Sequence, residues 1–354
     1  MNMTKPSYSM RTVVRKRQIG FTLVELMVAL ALSLLVVAAS VSALLVSRQG
    51  FTSVDAASQL RDNARFATDF ITRLSVQSGF KDVAFVDTVG QSQFKAAGVT
   101  SDPDSPIFGF NNATMNNSDP TGGSTNGSST GIGSDILVLR YQAGSRNTDS
   151  PLGSGAAESD NAMFNCAGIP QANTPTSSSD FIENVLYVSL PTAAAPEPAL
   201  MCIYKDKTGA NWQSGQPLVQ GVESFQILYG TDGVVPNTAP VAAAKLGTAP
   251  TAGQPDTIPE RYLRADQITV AGNDAATKEN WRRVRNLRIG MIVRSATGVL
   301  QAPVARRYYP FAPLATLTTA PDNFSETFLD IPATDTRLRQ VVTFTVYLHN
   351  YQGI

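Results

Sequence analysis

The chain has 354 residues, with 28 basic and 28 acidic side chains, one His, two Cys and 43% hydrophobic residues. That is enough for one large domain or two modest ones, and ordinary usage of Gly (26) and Pro (21) excludes collagen-like and wholly disordered chains. The zero formal balance argues against a constitutively basic nucleic-acid binder, but it hides an asymmetry: residues 1–20 carry Lys5, Arg11, Arg15, Lys16 and Arg17 and no acid, so residues 21–354 hold 23 basic and 28 acidic groups.

The first element follows that basic head. From Leu26 to Val46 the chain has 21 residues without charge, Pro or Gly, enough for a helix of about 30 Å, the thickness of a bilayer core. A buried core helix would show a polar stripe, and only Ser33, Ser40 and Ser42 interrupt this run. Basic charge before the run keeps the N-terminus in the cytoplasm and sends the rest of the chain outward. An ordinary secretory signal has an apolar region of about 7–15 residues before a small-x-small cleavage site. Val41-Ser42-Ala43 offers such a site, but the run is too long. Glu25 is unexpected at its edge, where a carboxylate costs up to about 3 kcal/mol if carried to the helix centre.

The residues around Glu25 read Arg15-Lys16-Arg17-Gln18-Ile19-Gly20, then Phe21-Thr22-Leu23-Val24-Glu25-Leu26. This resembles the class III signal of type IV prepilins. The resemblance implies a cut after Gly20 by a membrane-embedded aspartyl prepilin peptidase, N-methylation of the new N-terminus at Phe21 by the same enzyme, and retention of the apolar helix on the mature protein. It also gives Glu25 a role in assembly and register. A carboxylate among apolar helices must be paired, and the cut creates an amine at Phe21 of the same chain or of a neighbouring subunit.

Beyond the membrane run, Val54, Leu60, Ala64, Ala67, Phe70, Ile71 and Leu74 recur at threes and fours between Phe51 and Leu74, with charged residues filling the other positions. This predicts an amphipathic continuation stopping near Gly79, and a rod of roughly 85 Å over residues 21 to about 78. The rest reads as a β-rich head. Strands are predicted at Asp135–Tyr141, Asn184–Leu190, Leu200–Lys205 and Val222–Gly230, and in alternating runs at Trp281–Ser295 and Leu338–Leu348. In the last two, Leu287, Ile289, Met291, Val293, Leu338, Val342, Phe344, Val346 and Leu348 face a core. Arg288, Arg294, Arg339, Thr343, Thr345 and Tyr347 face away. Ser118–Ser134 and Pro236–Pro259 are low in complexity and are expected to be surface loops.

Within the head, Cys166-Ala167-Gly168, Leu200-Met201-Cys202, Pro217 through Asp232, the run after Trp281, and Arg337-Leu338-Arg339 into Leu348-His349-Asn350 resemble the PilW-type minor pilins, although His349 stands where that family suggests an Arg. The resemblance implies an α+β, type IV pilin-like fold, in which a long N-terminal helix, transmembrane and then amphipathic, packs on an antiparallel β-rich head with long loops. The expected parts are a cleaved cytoplasmic leader (1–20), a transmembrane or filament-core helix (21–49), its amphipathic continuation (50–79) and a periplasmic head (80–354). In that oxidising compartment Cys166 and Cys202, with 35 residues between them, are expected to form a disulfide, with two free thiols as the alternative.

Catalytic chemistry has little footing. His349 is the only histidine, and no phosphate-binding Gly-Lys-Ser/Thr loop, His-Glu-x-x-His or Gly-x-Ser-x-Gly occurs. Asp102 and Asp104 lack the remaining ligands of a twelve-residue calcium loop. No cofactor or metal is expected. DNA is the runner-up partner: Arg282, Arg283, Arg285 and Arg288 beside Trp281, and Arg306-Arg307 beside Tyr308 and Tyr309, offer charge and stacking surfaces, with surface solvation or subunit pairing as the competing reading. The expected function is that of a minor pilin. It would sit in the inner membrane and then in the pilus, in a complex with other minor pilins and the major pilin that primes assembly beneath a PilY-type adhesin and supports twitching motility and adhesion. A type II secretion pseudopilin is the structural alternative.

Overall fold

The structure is a computed structural model that describes residues 20–82, 105–116, 119–121, 124–125, 133–145, 159–172, 174–177, 180–189, 196–205, 212–213, 215–242, 249, 251, 253–311 and 328–350. The expected leader, apart from Gly20, and the pair Asp102 and Asp104 lie outside the described residues. The chain divides into two compact units, Met1–Thr52 and Ser53–Ile354.

In the first unit the described residues from Leu23 onward are helical and exposed. They belong to α1 (Leu23–Gln77). Its serines return their hydroxyls to the helix: Ser33 Oγ donates to Leu30 O, Ser40 Oγ to Val36 O and Ser42 Oγ to Ala38 O, each at 2.8 Å. The run thus presents no unsatisfied hydroxyl to an apolar surrounding.

In the second unit the end of α1 buries Ala56, Leu60, Ala64, Ala67, Ile71 and Leu74, one stripe at a spacing of threes and fours. Val54, expected on that stripe, is 70% exposed, and Ala56 takes the inward place. The helix stops because Gly79 adopts φ +82°, a left-handed conformation that glycine accepts without a Cβ penalty, and its N–H donates to Arg140 O.

Two antiparallel sheets form the head. The first has the order β1 (Ile107–Phe110), β4 (Ile136–Tyr141), β5 (Ile182–Val188), β6 (Ala199–Lys205), β7 (Gln216–Gln220). The second has the order β13 (Arg339–Tyr347), β10 (Val284–Arg294), β8 (Val222–Thr231), β9 (Arg261–Leu263). Two small pairs, β2 (Ala113–Thr114) with β3 (Ser124–Thr125) and β11 (Arg306–Tyr308) with β12 (Leu329–Ile331), and two short helices, α2 (Ala265–Ile268) and α3 (Asp274–Arg282), complete the described elements.

Four of the expected strands lie within two residues of β4, β5, β6 and β8. Alternation of β10 also holds: Leu287, Ile289, Met291 and Val293 are fully buried and join the α1 stripe, Leu137, Leu139, Leu186, Leu200, Phe225 and Ile227 in one core. The strand begins at Val284, however, and not at Trp281. Asn273 caps a helix there by accepting from Ala276 N, and Trp281 on its last turn packs edge-on against Tyr229 at 4.7 Å. Strand β4 is buried along its whole length, because a second apolar cluster of Ile136, Val138, Val185 and Ile203, with Phe108, Tyr187 and Trp212 against it, lies on the sheet's other face.

The sheets are joined at Ser134-Asp135. Asp135 N–H donates to Phe225 O, Phe225 N–H donates to Ser134 Oγ, and the Asp135 carboxylate accepts from Asn112 N–H and Ile227 N–H at 2.8 Å each. One polar corner thereby closes the side of β8 that short β9 leaves open. Ser134 is therefore buried and is not the surface residue its low-complexity segment predicts.

Candidate functional site

The N-terminal end of α1 is built from four residues. Gly20 is exposed with nothing within 4 Å of an added Cβ, and Phe21 is 87% exposed. Next, Thr22 accepts from Glu25 N–H through Oγ1 at 3.3 Å, while the Glu25 carboxylate accepts from both the N–H and the hydroxyl of Thr22 at 3.0 Å. This reciprocal arrangement satisfies two of the donors that a helix start leaves open, and places negative charge at the positive end of the helix dipole. Sequence reading assigned Glu25 to register and overlooked Thr22. The signal was present: Thr-x-x-Glu directly before an apolar run is the usual capping pattern.

Phe21 and the large apolar side chains from Leu23 through Val46 are exposed, and α1 is long and apolar enough to cross a membrane. The chain therefore offers, in order, an accessible small residue, an exposed aromatic, a carboxylate fixed at the helix start and an uncovered apolar surface. In the head, Cys166 and Cys202 are bonded and both are buried. The loop carrying Cys166 is tied to β5, since Cys166 N–H donates to Asn184 Oδ1 at 2.8 Å.

Residues 15–41 match the family model described as the prokaryotic N-terminal methylation motif, and residues 185–350 match that described as Type IV Pilus-assembly protein W. The chain thus joins a prepilin-type N-terminus to a region similar to type IV pilus-assembly protein W. Among solved structures it is similar to the type IV-like pilin TTHA1219 from Thermus thermophilus, with 12% identity over 82% of this chain and 97% of that one and a TM-score of 0.35. No curated protein matches it.

Among the described residues, most arginines of the surface considered for DNA are engaged within the head, although Arg306 is exposed. Arg282 ends α3 against Glu279 at 3.1 Å, and Arg283 is buried, reaching Glu279 and donating to Val241 O at 2.6 Å. Arg285 is buried on the fully buried carboxylate of Asp232 at 2.8 Å. Arg288 is half-buried, with the rings of Tyr262 and Phe311 at 5.9 and 6.0 Å. Arg307 is exposed yet engaged, paired with Asp330 at 2.7 Å and stacked on Phe328 at 3.8 Å. The cause lies in placement: α3 and the loops before it fold over the start of β10, where the sequence suggested an open strand.

Arg339 was expected to face away, and its side chain is only 1% exposed. Glu223, at a register shift in β8, holds it at 2.7 Å and also holds Arg294, while Asp335 pairs with it from the other side. His349 is exposed beyond the end of β13. Carboxylate oxygens of Asp232, Asp256 and Glu260 lie within 4.8 Å of one another, but Asp232 already accepts from Arg285 and from the N–H groups of Asp256 and Thr257. The guanidinium supplies the positive charge that a metal would bring.

Proposed function

We propose that the chain is a prepilin cut after Gly20 and methylated at Phe21, and that its mature form joins other minor pilins and the major pilin in a complex that primes pilus growth, with a PilY-type adhesin above it. Residues 1–20 are then the cytoplasmic leader, 21–49 the membrane and later filament-core helix, 50–79 its amphipathic continuation and 80–354 the periplasmic head. One observation carries this reading: an accessible Gly20-Phe21 bond immediately precedes a capped helix whose apolar surface is uncovered. An apolar surface of that length is stable in lipid or against other apolar helices, and in few other places. Glu25 sets register by pairing with an amine at Phe21, its own or a neighbour's. The mechanism is geometric, not catalytic.

The deciding measurement is the intact mass and N-terminal sequence of the protein from its host's membranes. A start at N-methylated Phe21 is expected. A start near Leu44 would instead mean a secreted protein, and an intact Met1 a plain membrane anchor; either removes the filament reading. Deletion is expected to reduce surface filaments and twitching, whereas a secretion defect with normal motility would reassign the chain to a type II pseudopilin role.

A further inference from the structure

Strand β13 is an end strand whose outer edge is open among the described residues. Ser295 N–H donates to Leu338 O and Leu348 N–H donates to Arg285 O. Because antiparallel partners alternate, the even residues between them turn their N–H and C=O toward β10. Val341, Thr343, Thr345 and Tyr347 consequently turn theirs outward, and among the described residues no other strand pairs with them. Pro310 O accepts from the Thr343 hydroxyl at 2.6 Å, a contact on the sheet's face that leaves the edge clear.

Natural sheets guard their edges with short strands, Pro, bulges or charge. The other three edges of the two larger sheets are guarded. β9 has three residues and β1 four, and β7 carries Pro217 beside a register shift against β6. β13 is different. It pairs along nine residues without a shift, contains no Pro, Gly, Lys or acid, and its one charge, Arg339, is turned onto Glu223 and Asp335.

The sequence along this edge indicates what fits it. Val341-Val342-Thr343-Phe344-Thr345-Val346-Tyr347 reads nearly the same in both directions about Phe344. We propose that a second copy of this chain occupies the edge, its β13 antiparallel to the first about a two-fold axis at Phe344. Thr343 then lies opposite Thr345 of the second copy and Val341 opposite Tyr347, each of these pairs exchanging two backbone hydrogen bonds. Between them Phe344 meets Phe344 and Val342 meets Val346 in the closer, non-hydrogen-bonded positions. Thr–Thr, aromatic–aromatic and aromatic–β-branched pairs are the types that stabilise a ladder, and no like charges face each other. The contact is isologous and therefore closes at two subunits. It does not depend on the pilus reading.

The test is oxidative cross-linking of the full chain in its host's membranes, followed by non-reducing electrophoresis, with Cys166 and Cys202 left bonded. Phe344→Cys is expected to give a cross-linked dimer. Thr343→Cys alone is not, because its opposite residue is Thr345, whereas the double variant Thr343→Cys with Thr345→Cys is. The double variant uses exposed positions and covers the case in which losing Phe344 weakens the fold. Monomer from both cross-linking variants, an equal yield from Thr343→Cys alone, or an adduct of a mass other than two chains overturns the proposal.

Discussion

At the scale of single residues, the most consequential side chain in the head is Asp135. Burial pushes its carboxyl up to about 7, against the opposing pull of the Asn112 and Ile227 N–H groups, with Asp266 and Arg264 acting more weakly from nearby. The same burial, with Asp135 beside it, pushes the Tyr229 hydroxyl well above its ordinary range. The folded value of Asp135 lies above the ordinary 3.8. Its contribution is therefore fully present below about pH 4 and is lost as pH rises through about 7, up to roughly 4 kcal/mol in all. Thermal melting of the detergent-solubilised protein from pH 4 to pH 8 is expected to show this decline, and Asp135→Asn to flatten it. That variant starts from a lower baseline, because its amide turns N–H toward one of the two backbone donors. A decline as steep in Asp135→Asn as in the parent would assign the pH dependence elsewhere.

Among the elements, legibility followed the length of the hydrophobic pattern. Strands β4, β5, β6 and β8 declared themselves as runs of branched and aromatic residues, and α1 by a stripe spanning many turns. The pieces that escaped reading are short or tertiary in origin. β1 has four residues, and α3 is nine residues ending in Trp281 and Arg282, where apparent alternation with β10 concealed a change of element. Arg339 and Arg285 look like solvated strand residues in sequence, since their partners Glu223 and Asp232 are more than fifty residues away. Of the candidate site, the N-terminal methylation motif holding Gly20, Phe21 and Glu25 was legible because the pattern is local. The disulfide was legible because only two cysteines exist. That bond fastens the Cys166 loop to β6 across a separation of 36 residues, for which chain entropy gives about 3 to 4 kcal/mol. Replacing both cysteines by Ser is expected to lower the unfolding free energy measured in urea by that amount, with a steeper slope because the unfolded chain is less compact without the cross-link. A loss under about 1 kcal/mol would mean that the Cys166 N–H bond to Asn184 and the surrounding loop contacts hold the segment without it.

For the whole molecule, Glu25 has one role that the structure shows and one that the proposed function assigns to it. One is local: it accepts from Thr22 and caps α1. The proposed one is that its charge pairs with the Phe21 amine, its own or a neighbour's, when apolar helices pack. Glu25→Gln separates them, because Gln preserves the reciprocal cap while removing the charge, and a buried amine left without its carboxylate is strongly disfavoured. Processing at Gly20 and insertion in the membrane should persist, since both precede helix packing. The amount recovered in sheared filaments, relative to membranes, is expected to fall about ten-fold or more, equivalent to at least about 1.4 kcal/mol. Wild-type recovery of Glu25→Gln, together with loss on Glu25→Val, would show that capping alone is what assembly requires. Equal recovery of all three would remove Glu25 from assembly altogether.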